Sequence, residues 1–381
     1  SLEPDIIHIT SLFEGYGDNA ITSIGKLDTD TPVSTSFYDL IPYLNPKDYL
    51  DNNRYYARYY LQKLEYLKCS SLLLSISEFA KSEGLEHLHL EPQKIVNVSS
   101  AAEPFFVNSG PLRNPQELFN ELNITKPFVL YTGGADPRKN LQRLIEAYAK
   151  VSPALRTNLQ LVLAGRIDSS EMPRLQKAIR NGNFRNDEII FTEYISDQDL
   201  QTLYSTCHFF VFPSWHEGFG LPALEAMKCG AAVIASNTSS LPEVIGADEA
   251  MFDPLSTDSI AQKITQLLQE PQLVNQLKAH ATKQAELFSW DVSANKAIAA
   301  FERIYSESTP RKISQDAILQ RLIAALKELN VDNKKLQKLD LLHFSACIAQ
   351  NFPAKQRTPQ IFIDISELVK RDAKTGIQRV V

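Results

Sequence analysis

The segment FVLYTGGADPRKNLQRLIEAYAK (128–150) starts as an apolar run, turns at two glycines and continues with apolar residues at helical spacing. This order is typical of a strand, a tight turn and a helix, the repeating unit of a parallel sheet. Four more apolar runs follow, separated by stretches with helical periodicity: LQLVLAG (159–165), EIIFTEYI (188–195), HFFVFPS (208–214) and AAVIASN (231–237). We therefore predict a complete doubly wound domain over residues 126–290.

The first 110 residues show the same alternation with fewer strands. Four segments are typical of strands, namely DIIHIT (5–10), PVSTSFYDL (32–40), SLLLSIS (71–77) and KIVNVSS (94–100), and residues 46–69 have helical periodicity. Because this region starts directly in a strand, we predict a Rossmann-like domain over 1–110 that is truncated, with its first half absent. The expected fold class is α/β, with two Rossmann-like, doubly wound domains.

The C-terminal part of the chain is expected to contain helices that pack on this fold, a linker and the start of a further segment. Apolar spacing predicts helices over 256–288 and 291–307, the second within a closing segment, 291–310. The charged stretch 311–358 is predicted to be a helical linker, and the strand-like and glycine-containing end to start a further domain over 359–381. Alternatively, this tail supplies a strand to the first domain. Either arrangement fits an excerpt of a longer protein.

Composition limits the classes of partner. The chain has 39 Lys and Arg against 45 Asp and Glu, a net charge of -6, so a general nucleic-acid binder is not expected. The start lacks a basic and apolar signal peptide, and no apolar run approaches about 18 residues. Four widely spaced cysteines without metal-site spacing are typical of a reduced protein. We expect a cytoplasmic protein, and peripheral contact with the inner face of a membrane stays open.

Two cations follow the first glycine pair. Gly133 and Gly134 end the strand, and Pro137 suits the first position of a helix, which would put Arg138 and Lys139 in its first turn. Cations there oppose the helix dipole. We therefore predict that a bound diphosphate offsets the cost. A solvated pair of surface charges is the alternative.

The segment WHEGFGLPALE (215–225) is the second candidate binding element. Its glycines permit close approach of a ligand, and Pro222 marks a helix start whose N–H groups form a second anion site. Glu217 would project into the cleft and Glu225 would lie near its floor, where a carboxylate can accept hydrogen bonds from two sugar hydroxyls. A solvated loop acid is the alternative for Glu217, and dipole complementarity is the alternative for Glu225.

Three motifs together resemble the retaining glycosyltransferases of family 4, which have the GT-B fold with two domains facing a cleft: YTGGADPRKN (131–140), LAGR (163–166) and FPSWHEGFGLPALEAMKCG (212–230). Glu217 and Glu225 match the E-x7-E motif of that family, and residues 239–254 resemble the end of its donor domain. The resemblance covers roughly residues 1–305.

The resemblance implies roles for single residues. Arg138 and Lys139 would hold the donor diphosphate and stabilise the departing charge, while Glu217 would contact the transferred sugar. Glu225 would bind the ribose hydroxyls. The other implied donor-binding residues are Gly133, Gly134, Arg166, Phe219, Gly220 and Leu221. No metal or other cofactor is expected, because cationic side chains neutralise the diphosphate.

The first domain resembles the later half of the acceptor-side domain of bacterial mannosyltransferases that assemble polysaccharide and O-antigen. The similar segments are ITSLFEGYGDNAITSIG (9–25), STSFYDLIPYLNP (34–46), SISEFAK (75–81) and KIVNVSSAAEPFF (94–106). Many relatives carry His-Asp where this chain has Tyr38 and Asp39, so no catalytic histidine is carried over. Asp39 and Glu14 are acceptor-side candidates, with a turn former and a solvated acid as the respective alternatives. His8 and His216 are expected to be structural.

The expected function is transfer of a hexose, with retention, from a nucleotide diphosphate sugar to a growing glycan or lipid-linked glycan. The resemblance of the first domain favours mannose and GDP-mannose. A nucleotide-sugar epimerase of GT-B fold is an alternative, although the E-x7-E pattern counts against it. A donor-binding module that is inactive as an excerpt is another. A glycoside hydrolase fits poorly, because no carboxylate pair has clear acid and base roles.

Overall fold

The chain forms two α/β units, each built on its own parallel sheet. The computed structural model describes residues 4–17, 23–25 and 30–308, the backbone of Ile361–Asp364, and the single positions 320, 324, 342 and 345. One sheet has five strands and the other has six, and the named strands pair in parallel. The predicted α/β class with two units is therefore confirmed.

The first unit is built mainly from the N-terminal part of the chain. Its elements are β1 (Ile6–Ile9), β2 (Val33–Phe37), α1 (Ile41–Leu44), α2 (Pro46–Tyr49), α3 (Arg54–Lys68), β3 (Leu72–Ser75), α4 (Glu78–Leu88) and β4 (Ile95–Asn97). All four strands lie within the segments that the sequence predicts.

The second unit carries the larger core. Its elements are α5 (Pro115–Leu122), β5 (Phe128–Thr132), α6 (Leu141–Lys150), α7 (Pro153–Arg156), β6 (Gln160–Ala164), α8 (Met172–Asn181), β7 (Ile189–Phe191), α9 (Asp197–Thr206), β8 (Phe209–Phe212), α10 (Leu221–Lys228), β9 (Val233–Ser236), α11 (Leu241–Ile245), β10 (Met251–Phe252), α12 (Thr257–Gln269), α13 (Pro271–Ala285) and α14 (Trp290–Glu307). Strands β5, β6, β8 and β9 are buried throughout, as expected for a sheet covered on both faces.

A strand from the end of the chain joins the first sheet. This strand, β11 (Ile361–Asp364), lies parallel to β1, with Ile6 opposite Ile361, and the sheet order is β11-β1-β2-β3-β4. The pairing corresponds to the alternative in which the tail supplies a strand to the first unit. Most of the predicted linker (311–358) and the segment after the strand lie outside the described residues, so the linker and the further domain over 359–381 stay predictions.

The order in which strands are added to the second sheet reverses beside β5. The sheet order is β10-β9-β8-β5-β6-β7, so the chain moves outward from β5 on one side and then returns to build β8, β9 and β10 on the other. In open parallel sheets a ligand binds beyond the carboxyl ends of the strands at this switch point. Here those ends lead into the loops 133–140 and 213–220, which contain the predicted diphosphate-binding residues.

Helix α14 returns from the second unit to the first. Its Ala300 and Ile304 are buried in one cluster with Leu72 and Leu74 of β3. The ring of His8 packs edge-on against Phe301 of this helix, with the ring centres 5.5 Å apart. Burial lowers the pKa of His8 to about 4, so this histidine is neutral and apolar in its role, in agreement with a structural assignment.

Some helix boundaries differ from the prediction for local reasons. The predicted helix 46–69 is two helices, because the Asn53 side chain accepts the N–H of Tyr56 and starts α3 anew. The segment 256–288 is likewise divided, at Pro271. Helix α4 is not predicted, since its buried positions include Glu83 and Gly84, which hide the apolar period. Within the described part of the chain, no helix is long and apolar enough to cross a membrane.

A buried ion pair joins the end of α7 to the residue before β7 in the second unit. Arg156 and Glu188 lie 2.9 Å apart, and their side chains are 6 % and 4 % exposed. The guanidinium of Arg156 also lies 5.0 Å from the ring centre of Phe184. Both charges are therefore desolvated and depend on each other.

We expect Glu188→Ala to lower the free energy of unfolding by about 3–5 kcal/mol, because it leaves a guanidinium buried without its partner. Asp258→Ala is the matched control, since its ion pair with Lys150 has side chains 72 % and 44 % exposed. That change should cost at most about 1 kcal/mol. Urea denaturation followed by circular dichroism measures both, and equal losses would contradict the assignment.

Candidate functional site

The two predicted cations lie in a single turn after β5. Pro137–Lys139 form a 3-10 turn, and Asn140 follows in the left-handed region with φ of 61°. The prediction of α-helical geometry at Arg138 and Lys139 is therefore wrong. Helix α6 begins only at Leu141, because Asn140 interrupts the helical path.

This turn is fixed by hydrogen bonds at both of its ends. The carboxylate of Asp136 accepts the backbone N–H of Arg138 at 3.1 Å. The buried side-chain amide of Asn140 donates to the carbonyl oxygens of Pro213 and Pro254, at 3.0 and 2.7 Å. The cations therefore start from a backbone that is ordered before any ligand arrives.

Glu217 lies directly against both cations. Its Oε1 is 2.6 Å from the ammonium of Lys139, and its Oε2 is 2.8 Å from Nη1 of Arg138. The Glu217 residue is 7 % exposed. The structure thus brings the three predicted catalytic residues into one desolvated cluster.

The charges in this cluster determine its protonation states. Burial alone would raise the pKa of Glu217, but Lys139 and Arg138 outweigh it and lower that pKa to about 2. Burial lowers the pKa of Lys139, an effect that Glu217 only partly offsets. Burial also opposes the charged form of Arg138, yet Glu217 and Asp136 outweigh this effect and raise its pKa. At neutral pH Glu217 is therefore ionised, and it compensates the cations beside it.

The predicted glycines allow two strand ends to touch. Gly165, after β6, has φ of 132°, and a Cβ built there would lie 2.6 Å from the carbonyl oxygen of Gly133. The corresponding Cβ of Gly134 would lie 3.7 Å from the carbonyl oxygen of Arg166. Gly133, Gly134 and Arg166 are therefore adjacent, as predicted, and the side chain of Arg166 is exposed. The approach at Gly165 requires a residue without a side chain, because a Cβ there would overlap the backbone of Gly133.

The loop before α10 presents backbone donors. Across the described part of the chain, no hydrogen bond engages the backbone N–H groups of Gly218, Phe219, Gly220 or Leu221. These groups precede or open α10, so they belong to the unsatisfied N–H groups of a helix start. Such groups suit phosphate oxygens, as the sequence predicts for Phe219, Gly220 and Leu221.

Glu225 lies beneath this loop in a chain of hydrogen bonds. It is 4 % exposed, and the hydroxyl of Tyr204 donates to its Oε2 at 3.2 Å. The same hydroxyl lies 3.0 Å from Oγ1 of Thr132, the last residue of β5. Burial and Glu225 raise the pKa of Tyr204, so its proton stays in place. Tyr204 and Thr132 are absent from the sequence prediction, because nothing local links them to Glu225.

Asp39 approaches the glutamate loop from the first unit. Its Oδ1 accepts the backbone N–H of Ile41 at 3.0 Å, as a turn former would. A Cβ built on Gly218 would lie 2.9 Å from Oδ2 of Asp39, so the carboxylate lies against the residue after Glu217. Burial raises the pKa of Asp39, although Arg138 opposes this shift. Asp39 therefore both forms the turn before α1 and lies at the cleft, beside Gly218.

Glu14 lies in the loop after β1, on the same side. Its carbonyl oxygen accepts the hydroxyl proton of Tyr59 at 2.5 Å, and its charge contributes to raising the pKa of Tyr38 and of Tyr56, after burial in each case. Its backbone is thus held on the acceptor-side unit, near the start of α3. A catalytic role for Glu14 stays a prediction.

His216 connects the two units. Its Nε2 lies 2.8 Å from the buried carboxylate of Glu83 on α4, and its Nδ1 lies 3.1 Å from the amide of Asn45. Its carbonyl oxygen accepts a hydrogen bond from Arg138 at 3.1 Å. These contacts agree with the structural assignment, and they place His216 between the first unit and the cation cluster.

Three further contacts hold the cleft together. The hydroxyl of Tyr49 donates to Asp136 at 2.6 Å, and that of Ser77 donates to the carbonyl oxygen of Gly218, also at 2.6 Å. The carboxylate of Glu243 accepts the first two N–H groups of α4, from residues 78 and 79, both at 3.0 Å. A carboxylate at a helix start is stabilising, so Glu243 joins α11 to α4. These contacts lie far apart in sequence and are absent from the prediction.

Solved structures with the same fold include glycosyltransferases. A sucrose-phosphate synthase from Thermosynechococcus elongatus aligns with a TM-score of 0.60 and 22 % identity, over 72 % of this chain and 68 % of that one. Anabaena Alr3699/HepE, solved in complex with UDP and glucose, aligns with a TM-score of 0.59 and 20 % identity, over 72 % of each chain. Together with the two parallel sheets, these likenesses confirm the predicted GT-B fold.

Sequence comparison agrees with the structural comparison. The family described as "Glycosyl transferases group 1" matches residues 115–284. The serotype-specific mannosyltransferase WbdA of Escherichia coli is 35 % identical over an alignment of 382 positions, which covers all of this chain and 46 % of that protein. The chain thus spans about half the length of this relative. The O-antigen chain mannosyltransferase B of Escherichia coli is 33 % identical, over 70 % of this chain and 69 % of that protein. The chain therefore belongs to the glycosyl transferases group 1 family.

Proposed function

We propose that this chain transfers a mannosyl residue, with retention, from GDP-mannose to a growing glycan. The names of the E. coli relatives support the mannosyl group, and the family supports a hexosyltransferase. Since the chain spans about half of WbdA, the activity and substrates of the longer protein are part of this proposal.

The observation that carries the proposal is the position of Arg138, Lys139 and Glu217 at the switch point of the second sheet. Two partly buried cations there contact carboxylate oxygens at 2.6 and 2.8 Å. Diphosphate oxygens can make the same charge-assisted hydrogen bonds. A nucleotide diphosphate that enters the cleft would bind these two cations in place of Glu217. The Glu217 carboxylate would then be available to contact the sugar.

The released diphosphate carries the charge that develops in the reaction. Arg138, Lys139 and the free N–H groups of Phe219 and Gly220 surround the place where that charge would appear, and fixed donors stabilise it most when water is excluded. Glu217 would then hold the transferred sugar. Glu225 would accept hydrogen bonds from the ribose hydroxyls, after the Tyr204 hydroxyl stops donating to its Oε2.

A metal is not required in this proposal, because the two cations neutralise the diphosphate. A hydrolase mechanism has little support, since a residue whose pKa lies at about 2 cannot act as a general acid near neutral pH. Asp39 remains available beside Gly218 to contact the sugar or the acceptor hydroxyl.

The partners proposed are a nucleotide sugar and a glycan or lipid-linked glycan acceptor. We also propose a cytoplasmic site of action with peripheral contact at the inner face of the membrane. Further glycosyltransferase domains in a longer parent chain are consistent with the partial coverage of WbdA.

Calorimetric titration with GDP, UDP and ADP tests the donor site. We expect GDP to bind most tightly, and the double substitution Arg138→Ala and Lys139→Ala to weaken binding by about a hundredfold or more, because two charge-assisted hydrogen bonds are lost. Lys150→Ala, on the exposed end of α6, is the matched control and should bind as the unsubstituted chain does.

The outcome against the proposal is GDP affinity that survives in the folded double variant. A melting curve on the same samples distinguishes loss of the site from loss of the fold. If UDP or ADP binds most tightly, the proposed site stands, but the donor nucleotide is not GDP.

Glu217→Gln should abolish sugar transfer while preserving or strengthening GDP binding, because the change removes the anion that competes for Arg138 and Lys139. Transfer is measured with radiolabelled GDP-mannose, and binding by calorimetry. Loss of GDP binding together with transfer would show instead that Glu217 is needed to organise the phosphate site.

The same variant tests the acid titration of Glu217. Its pKa is depressed from 4.5 to about 2, so the ionised form stabilises the folded state above pH 4.5, and this contribution is lost as the pH falls toward 2. The stability difference between the unsubstituted chain and Glu217→Gln should therefore shrink as the pH falls from 4.5 toward 2. Urea denaturation at several pH values measures it, and a constant difference would refute the assigned pKa.

A further inference from the structure

Three tyrosines form an exposed step at the edge of the cleft. Tyr16 lies in the loop after β1, and Tyr56 and Tyr59 lie in the first turns of α3, which leads into β3. All three therefore lie at the carboxyl edge of the first sheet, the edge that faces the second unit through the bond between Tyr49 and Asp136. We call Tyr16, Tyr56 and Tyr59 the tyrosine step.

The rings of the tyrosine step meet at steep angles. The ring centre of Tyr16 is 5.2 Å from that of Tyr56 and 5.2 Å from that of Tyr59, with interplanar angles of 79° and 58°. Behind them, the ring of the buried Tyr60 lies 6.1 Å from Tyr56 and 4.8 Å from Phe13. The step thus rests on the core of the first unit, and its angled rings enclose a corner instead of a flat surface.

Part of this surface is open to solvent and chemically unused. Tyr16 is 44 % exposed, although large aromatic side chains are stabilised by burial. Within the described residues, the hydroxyls of Tyr16 and Tyr56 make no hydrogen bond. Partly exposed rings, with free hydroxyls on Tyr16 and Tyr56, resemble the lining of small-molecule sites, which combine aromatic faces with a few polar groups.

The tyrosine step is continuous with the proposed reaction centre. Burial raises the pKa of Tyr56, and the charges of Glu14 and Asp39 raise it further, so both carboxylates lie near this hydroxyl. Asp39 in turn lies against Gly218, next to Glu217. A chain of neighbouring groups therefore leads from the exposed ring of Tyr16 to the place where the donor sugar would be held.

We propose that the tyrosine step is the acceptor subsite, where a neutral hexopyranose of the growing glycan stacks on the rings of Tyr16 and Tyr56. One face of a pyranose carries C–H groups, which are attracted to the negative face of an aromatic ring. The sugar hydroxyls can bond to the free phenol groups. This inference rests on the proposed function and assigns its acceptor side.

Two observations favour a sugar over a membrane surface as the occupant. Glu14 and Asp39 are acidic neighbours, which anionic lipid headgroups would avoid. Tyr55, which is 85 % exposed on the same helix, makes no ring contact among the described residues, and it is a better candidate than the angled step for contact with a flat surface.

Binding of α-linked mannotriose to the full chain, followed by saturation-transfer NMR, tests the subsite without requiring turnover. We expect Tyr16→Ala and Tyr56→Ala each to weaken mannotriose binding by about tenfold. Tyr56→Phe should recover most of the Tyr56→Ala loss, because the ring remains. Tyr55→Ala is the matched control and should bind as the unsubstituted chain does. GDP affinity should be equal in all four variants.

Each outcome decides between the two proposals. Unchanged mannotriose binding in Tyr16→Ala and Tyr56→Ala, or no binding to the unsubstituted chain, overturns the acceptor subsite even when GDP binds. Absence of GDP binding overturns the proposed function alone, while the mannotriose result still stands. If the same two substitutions reduce binding to vesicles of phosphatidylethanolamine and phosphatidylglycerol but leave mannotriose binding intact, the step is a membrane contact and the proposal is wrong.

Discussion

The contact of the Glu217 carboxylate with Arg138 and Lys139 determines the geometry of the cleft. Two cations and one anion are desolvated together at the end of β5 and β8, so none of the three can move freely without leaving a charge unpaired. The backbone carbonyl of Arg138 also accepts the N–H of Trp215 at 3.0 Å, which ties the two loops together directly. In the proposed function, an incoming diphosphate would therefore enter a site that is already ordered in the folded chain.

The same loops also join the two units. Glu217 follows His216, which contacts Glu83 and Asn45 of the first unit, and it precedes Gly218, whose carbonyl accepts the Ser77 hydroxyl. The segment that holds Glu217 therefore also contacts α4, through His216 beside Glu83 and through the hydrogen bond of Ser77 to Gly218. Opening of the cleft would have to break several of these links together.

The two units differ in how much of their apolar surface is buried. The second unit has fully buried central strands and a large core, which hold the charged loops rigidly. The first unit has a smaller core and exposes aromatic side chains along its cleft edge. A rigid charged site beside a more open surface agrees with the proposed function, in which a small nucleotide sugar would meet a long glycan.

Local sequence patterns were sufficient for the strands, for the glycine turns and for the residues Arg138, Lys139, Glu217 and Glu225, because periodicity and charge at strand ends carry that information. They also placed the cations in an α-helix, whereas left-handed Asn140 produces a 3-10 turn through bonds to Pro213 and Pro254. The pairing of β11 with β1, the bond between Glu225 and Tyr204, and the contact of Asp39 with Gly218 join residues remote in sequence. The sequence by itself therefore determined which groups are candidates for the chemistry. Only the tertiary structure decided which of them meet, since desolvation and contact distance depend on the packed chain.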